Sequence, residues 1–424
     1  MREYCLDLQL HGKFAGGVSK SMELPVLSQQ AKLKGLDVLS TGDILHKRWF
    51  SHVRENVVEE SNGVYADKNG NCYFIVGGEL EDKDGIHHLF YLPSLESALE
   101  LRQRLLPFGN LDCALCGRPF VKLSPEKIAE NVCDVGGVFG PAHSFTPYTG
   151  IYAFYDSLKS AYGSMSDKLY FIELGLSADT FLADLISENH AYSFLTSSDA
   201  HSPWPNRLGR EFVKIKMHKP DFNNLKRAFC EREDKLITLN VGLDPKEGKY
   251  HCTACSNCFL KYSLADAVAL NWKCSKCGHD IKRGVRDRIM LLKNTAEGVH
   301  PNFRPDYLHI LPLLEIIQSA LSVKGVNTKA VNSKWFELVE LFGNEIKILT
   351  EVNESELIAE GIVGEFIVAF RKGFVIYLPG GGGKYGKPIV CRSEEEFNKV
   401  SAELKFESHC PDNAPQKKIL SFLK

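Results

Sequence analysis

Six short groups of residues in the first half of the chain carry side chains that bind hard or borderline metal ions. Asp7-Leu-Gln-Leu-His11 alternates polar with apolar positions, so Asp7, Gln9 and His11 share one face of an extended segment. Ser40-Thr-Gly-Asp43 follows an apolar run, with His46 three residues on. Glu79 closes Val76-Gly-Gly-Glu, and His87-His88 opens the apolar run ending at Leu92. His143 follows Val138-Phe-Gly-Pro-Ala, and Asp199-Ala-His201 follows Phe194-Leu-Thr-Ser-Ser. Imidazoles mixed with carboxylates suit zinc, manganese or iron. A carboxylate such as Glu79 can bridge two ions. Clustered ions make a hydroxide nucleophile near neutral pH and neutralise charge developing on a phosphoryl group, which is what phosphodiester hydrolysis requires. A lone histidine near a strand is more often structural than ligating, and His52, His190, His218 and His300 are read that way.

The elements that must position these groups alternate in type up to about residue 245. Strands are expected at Leu36–Ser40, Cys72–Gly77, His88–Leu92, Gly137–Gly140, Lys168–Leu174 and Phe194–Ser197, and helices at Val26–Lys34, Leu95–Leu105, Pro125–Val132 and Asp179–Asn189. Such alternation implies an α/β fold with a largely parallel sheet, doubly wound or closed into a barrel, with its chemistry at the C-terminal ends of the strands. Residues 249–284 turn short, polar and cysteine-rich. Beyond them Ile310–Leu321 and Trp335–Phe342 read as helices. Phe366–Arg371 and Phe374–Leu378, split by Lys372-Gly373, read as a hairpin followed by a Gly-rich loop up to Lys387.

The whole chain of 424 residues, 44% hydrophobic and 25% charged, has the composition of a globular protein of two or three domains. No run approaches the ~18 apolar residues of a membrane span. The start of the chain has no signal-peptide core, so an intracellular, cytoplasmic protein is expected. In that setting the 13 cysteines point to metal rather than disulfides. Cys255-x-x-Cys258 and Cys274-x-x-Cys277, fifteen residues apart, have the spacing of a closed structural zinc site, and a segment so poor in apolar residues needs the ion to fold. Cys252, His251 and His279 lie nearby, but the two matching knuckles favour the four named. Cys113-x-x-Cys116 lacks a second pair and reads as a disulfide or two thiols.

The order Asp-x-x-x-His, Thr-Gly-Asp, Gly-Glu, His-His, Ala-His-Ser and Ser-Asp-Ala-His resembles the polymerase-and-histidinol-phosphatase (PHP) domain. Leu39-Ser-Thr-Gly-Asp43, Gly117-Arg-Pro119, Ser198-Asp-Ala-His-Ser-Pro-Trp-Pro205, Gly248-Lys-Tyr-His251 and the cysteine module resemble endonuclease Q over essentially the whole chain. The resemblance implies a distorted (β/α)7 barrel over residues 1–248, a four-cysteine zinc module over 249–284 and an α+β DNA-recognition domain over 285–424. It implies two to three catalytic ions (Zn2+, Mn2+ or Mg2+) beside the structural Zn2+. His11, Glu79 and Asp199 would hold one, with Glu79 shared. His88, taken over His87, and His143 would complete the second. Asp43, His46 and His201 would hold the third. Gln9 stands where PHP domains carry the first histidine of His-x-His, a weaker and neutral ligand. The implied activity is metal-dependent DNA repair: cleavage 5′ to uracil, hypoxanthine, xanthine or an abasic site, leaving 3′-hydroxyl and 5′-phosphate ends.

A net charge of −2 hides local basic clusters. Arg207 and Arg210 follow the Asp199 motif, Lys282, Arg283 and Arg286 follow the zinc module, and Arg118 lies in Gly117-Arg-Pro119; all are candidate DNA contacts. Lys384 and Tyr385 are further candidates in the Gly-rich loop. DNA carrying deaminated or abasic nucleotides is the expected partner of a monomer, with recruitment by replication or repair proteins. A PHP-type small-molecule phosphatase leaves the zinc module and C-terminal part without a role. A non-catalytic DNA-binding protein draws support from Gln9 alone.

Overall fold

The computed structural model describes residues 1–61 and 63–405; residues 406–424 of the expected C-terminal domain lie outside the described residues. The chain is a mixed α/β protein of two compact units. Unit one comprises residues 1–175, 186–242 and 295–307; unit two comprises 176–185, 243–294 and the chain from 308. Among the described residues no helix is long and apolar enough to cross a membrane.

In chain order the strands of unit one are β1 (Arg2–Asp7), β2 (Val38–Ser40), β3 (Val57–Ser61), β4 (Val64–Asp67), β5 (Tyr73–Ile75), β6 (Gly77–Glu81), β7 (His87–Tyr91), β8 (Val138–Pro141), β9 (Phe171–Glu173), β10 (Ser193–Leu195), β11 (Phe212–Met217) and β12 (Ile237–Gly242). The largest sheet runs from the edge segment Asp306–His309 through β12-β11-β1-β2-β5-β4-β3, and β6-β7-β8 and β9-β10 form two others. Pairing is parallel for β1–β2, β2–β5 and β9–β10 and antiparallel for β1–β11, β11–β12, β3–β4, β4–β5, β6–β7 and β7–β8. The expected largely parallel sheet is therefore a mixed one. Short connections between β3, β4 and β5, and between β6 and β7, permit only antiparallel neighbours. Among the described residues the strands form separate sheets and not a closed ring. Leu6, Leu8, Val38, Ile75, Tyr91, Phe171, Leu195 and Val213 form the centre of the core. The helix Phe222–Cys230 contributes Phe222, Leu225, Ala228 and Phe229 to it, while α1 (Leu24–Lys34), closed by Gly35 at φ 94°, packs with α2 (Lys47–Asn56), capped by His46. The helix expected over Asp179–Asn189 is one turn, Thr180–Ala183, and a separate 3-10 segment, Ser187–Ala191.

In unit two the cysteine-rich segment has a core of Cys255, Ala267, Cys274 and Ile281, too small to hold a fold by apolar burial alone. The Cys255 and Cys277 sulfurs lie 3.4 Å apart, and those of Cys258 and Cys274 3.5 Å. Cys252 is outside this group. The expected hairpin arm Phe366–Arg371 is instead part of a helix, Ile362–Arg371, and the hairpin pairs Val375–Leu378 with Lys387–Val390. A short apolar run does not declare its period. Here Val363, Ile367 and Phe370 are buried at helical spacing. Arg371, 1% exposed, donates to the Leu349, Ile348 and Val352 carbonyls at the end of helix Glu345–Thr350. The Gly-rich loop is bound along its backbone: Gly380 and Gly386 N–H donate to Lys246 and Glu247 carbonyls, and Gly380 O accepts from Cys252. A Cβ on Gly380 or Gly386 would strike that backbone, which accounts for both glycines without a DNA contact.

His251 is buried in unit two, and burial first, then Arg286 and Lys246, pushes its pKa down to about 4. The folded state holds it neutral. Stability is complete above the ordinary value of about 6.5 and is lost as pH falls from there toward about 4. Between pH 7 and pH 5 the wild type is expected to lose about 2 kcal/mol more unfolding free energy in urea than H251Q. Equal losses would contradict this placement.

Candidate functional site

Three of the residues that converge in unit one sit on backbone that side chains rarely adopt: Asp43 (φ 42°), His143 (φ 30°) and Asp199 (φ 48°). Buried carboxylates hold two of these loops. Asp7 accepts from the Ser198 and Gly209 amides at 3.0 and 2.9 Å, and Glu173 accepts from His143 N and, at 2.9 Å, Gly175 N. Burial raises both pKa values, that of Asp7 to about 6 and that of Glu173 well above the carboxylate range. An added Cβ at Gly117 would collide with the Asp43 carboxylate, so the Cys113–Cys116 loop closes against the site only with glycine there.

Glu79 lies at the centre, 2% exposed. Its Oε2 accepts from Gln9 Nε2 at 2.8 Å and lies 3.5 Å from His11 Nε2. Its Oε1 lies 2.7 Å from His87 Nδ1 and 3.5 Å from both His143 Nε2 and Arg118 Nη1. Burial alone would raise its pKa, but His87, His11 and His143 together hold it well below the ordinary range.

Two groups of metal-binding side chains result. In one, Glu79, His87 and His143 converge. His87 Nδ1 and His143 Nε2 are 3.0 Å apart and both face the same carboxylate oxygen, an arrangement that needs a proton or a cation between them. In the other, His11, Asp199 and His201 converge, with His11 Nε2 3.3 Å from Asp199 Oδ1. Asp43 Oδ1, 2.9 Å from His11 Nδ1, takes that nitrogen's proton in a hydrogen bond and leaves Nε2 as the free donor atom. His11 Nε2, Asp199 Oδ1 and Gln9 Oε1 are buried without a hydrogen-bond partner. Orphaned donor atoms of these types fit a divalent cation. Burial would lower the His11 pKa, but Asp43 and Asp199 hold it well above normal; burial would raise that of Asp199, but His11 beside it holds it at about 2.

Two expectations are corrected. His88 turns away from Glu79: its Nδ1 meets Tyr162 Oη at 2.7 Å and its Nε2 meets Asp82 Oδ2 at 3.1 Å. Register decides this. Opposite residues of an antiparallel pair share a face, and β6 pairs Glu81 with His87 and Glu79 with Leu89, leaving His88 opposite Leu80. Nor does the expected Asp43, His46, His201 group form among the described residues. His201 joins His11, Asp43 grips His11 and Gly12 N, and His46 caps α2 by accepting from Trp49 N at 3.4 Å. Burial keeps the His46 pKa below normal. The sequence pattern does not single out Glu173, Asp82 or Tyr162; Glu173, one residue before the end of the expected strand Lys168–Leu174, ends the observed β9.

The candidate DNA contacts are dispersed. Arg118 reaches Glu79 and Glu81, and Arg210 Nε donates to Ser198 O at 3.0 Å. Arg207 lies in the loop after Trp204. In unit two Arg283 lies over Trp272, Lys384 lies near Phe259, and Tyr385 is 64% exposed. Lys282 lies in the strand Ile281–Lys282 and Arg286 in the helix Val285–Leu292. Among the four module cysteines, the His279 amide holds the Cys277 thiol down at about 5, while Cys258, despite the Leu260 amide, is pushed up to about 11 by burial and its cysteine neighbours.

Residues 312–374 match the MJ0043 C-terminal domain family. The chain is 46% identical over 257 residues to MJ0043 of Methanocaldococcus jannaschii, covering 59% of this chain and 32% of that protein, so it spans about a third of that relative's length. It is 31% identical over 418 residues to YqxK of Bacillus subtilis, covering 91% of this chain and 99% of that protein. Among solved structures, the lesion-specific endonuclease PfuEndoQ of Pyrococcus furiosus has a TM-score of 0.87 and 40% identity, over 97% of this chain and 100% of that one. Endonuclease Q in complex with a 27-mer duplex substrate bearing an abasic lesion at the active site has a TM-score of 0.87 and 41% identity, over 93% of this chain and 98% of that one.

His87→Ala is expected to weaken zinc binding beyond the ~10–100-fold seen on losing a residue that only orients a ligand. His88→Asn should leave the catalytic metal content intact and lower only stability. Metal content by mass spectrometry with chelator competition separates the two, and the reverse pattern would contradict the register argument.

Proposed function

The chain belongs to the endonuclease Q family, and from that premise we propose that it is a metal-dependent DNA repair endonuclease. It hydrolyses the phosphodiester 5′ to uracil, hypoxanthine, xanthine or an abasic site, leaving 3′-hydroxyl and 5′-phosphate ends. Unit one is its PHP domain. The reading is carried by the pairing of two metal-binding groups through one buried carboxylate, in a chain that matches a DNA-bound endonuclease Q over 93% of its length.

His11, Asp199, His201 and Glu79 would hold one divalent ion, and His87, His143 and Glu79 would hold a second. Ions in these places supply Lewis acidity and a nucleophile at neutral pH. Asp43 fixes the His11 tautomer, and Asp7 and Glu173 fix the loops that present Asp199 and His143. Arg118, whose guanidinium reaches Glu79, meets a non-bridging oxygen of the scissile phosphate and neutralises it. A damaged base is inspected outside the stack, where its edge and the missing or altered group are accessible. Arg207 and Arg210 in unit one, and Lys282, Arg283, Arg286, Lys384 and Tyr385 in unit two, supply sequence-independent contacts to the duplex. Zinc in the Cys255, Cys258, Cys274, Cys277 site is structural.

End-labelled duplexes with one uracil, hypoxanthine or abasic site, incubated with Mg2+, Mn2+ or Zn2+, should be nicked once, 5′ to the lesion. The nick should disappear with EDTA and in D199N, while D199N still binds the duplex. No nicking of any duplex, together with phosphate release from small monoesters, would replace this reading with a phosphatase.

A further inference from the structure

Beside the metal groups, the start of α2 and the segment after His11 enclose an open cleft of about 540 Å³. Lys13, Phe14, Lys47, Arg48 and Ser51 line it, with Glu55 two turns along the helix. Lys47 and Arg48 are exposed and make no ion pair among the described residues. Lys13 is held by Glu23 at 2.5 Å.

The cleft is tied to the candidate centre by direct contacts. Lys47 follows His46, and its backbone N–H donates to Asp112 Oδ1 at 2.9 Å. Gly12 N–H donates to Asp43 Oδ2 at 2.6 Å, so the Lys13 segment hangs on the carboxylate that grips His11. Trp49, on the same helix, donates to the Thr41 and Gly42 carbonyls at 2.9 and 2.8 Å, just before Asp43. The Arg48 guanidinium lies 4.4 Å from the Phe14 ring centroid, and that ring stacks on His46 at 5.0 Å. Two cations with no ion pair among the described residues thus stand at a helix N-terminus whose dipole has the same sign, and Arg48 is laid on the Phe14 ring that stacks on His46.

We propose that this cleft is a backbone subsite, in which Lys47 and Arg48 hold the phosphate of the DNA strand next to the scissile one. The proposal rests on the endonuclease reading above. Arg48, laid on Phe14 and through it on His46, sets the register at which the strand meets the metal groups. Glu55 ends the cleft, because its charge opposes a further phosphate there.

The test is fluorescence anisotropy of a labelled duplex bearing one abasic-site analogue, over a salt series, with D199N as the non-cleaving parent. Adding K47E and R48E should weaken binding by about tenfold or more and reduce the slope of log affinity against log salt by about 2, near one per lost phosphate contact. Metal content and melting temperature should stay at the parent's values. R54E, a charge reversal on the same helix outside the cleft, should move the slope far less. Binding and slope unchanged in the double variant, while the wild type nicks lesion duplexes, would overturn the subsite and leave the endonuclease reading standing. So would an R54E effect equal to that of the pair, which marks diffuse attraction. A wild type that neither binds nor nicks lesion duplexes would overturn both.

Discussion

Burying the Glu79 carboxylate takes it out of water at a cost of several kcal/mol, which only donors and positive charge at close range offset. Unit one supplies them from four directions. Gln9 and His11 come from the segment after β1, His87 from the neighbouring strand β7, His143 from the loop after β8, and Arg118 from the loop that Gly117 lets approach. The two carboxylate oxygens face different groups, so one side chain is shared by both clusters of candidate ligands. The positive φ of Asp43, His143 and Asp199 follows from the same requirement. Strain of order 1–3 kcal/mol per residue persists only where surrounding bonds impose it. Here Asp7 and Glu173 do so from beneath, at the further cost of their own burial.

Unit two solves a different problem. Its cysteine segment has almost no apolar core, and four sulfurs in two close pairs take the place of one. The Gly-rich loop is the counterpart in backbone terms, since it pairs with residues 246–252 at distances no side chain allows. Arg371 shows the same economy, with one guanidinium closing the carbonyl end of a helix that has no glycine cap.

Much of this was legible in the sequence. Leu95–Leu105 is a helix with the bounds its apolar spacing implies, and His11, Asp43, His143 and Asp199 each follow a strand, whereas Glu79 lies within β6 and His87 opens β7. The rest depends on register and closure, which no local pattern contains. Alternation says that one of His87 and His88 faces the site. Which one is set by the pairing of β6 with β7, and a shift of one residue would reverse it. Asp43 looked like a ligand because its type and position suit one, yet its carboxylate is taken by His11 and Gly12. The run around Phe366 is apolar on too many successive positions to show a period. The sheet order likewise follows from long-range pairings that adjacent residues do not encode.

Glu79 is proposed to serve two ions, one on each oxygen. Crystals of the metal-reconstituted wild-type protein, measured on both sides of the zinc absorption edge, should then show two anomalous peaks flanking Glu79, one among His11, Asp199 and His201 and one between His87 and His143, besides the peak at the four cysteines. A peak at the cysteines alone, or a single ion on one oxygen of Glu79 at saturating zinc, would contradict it.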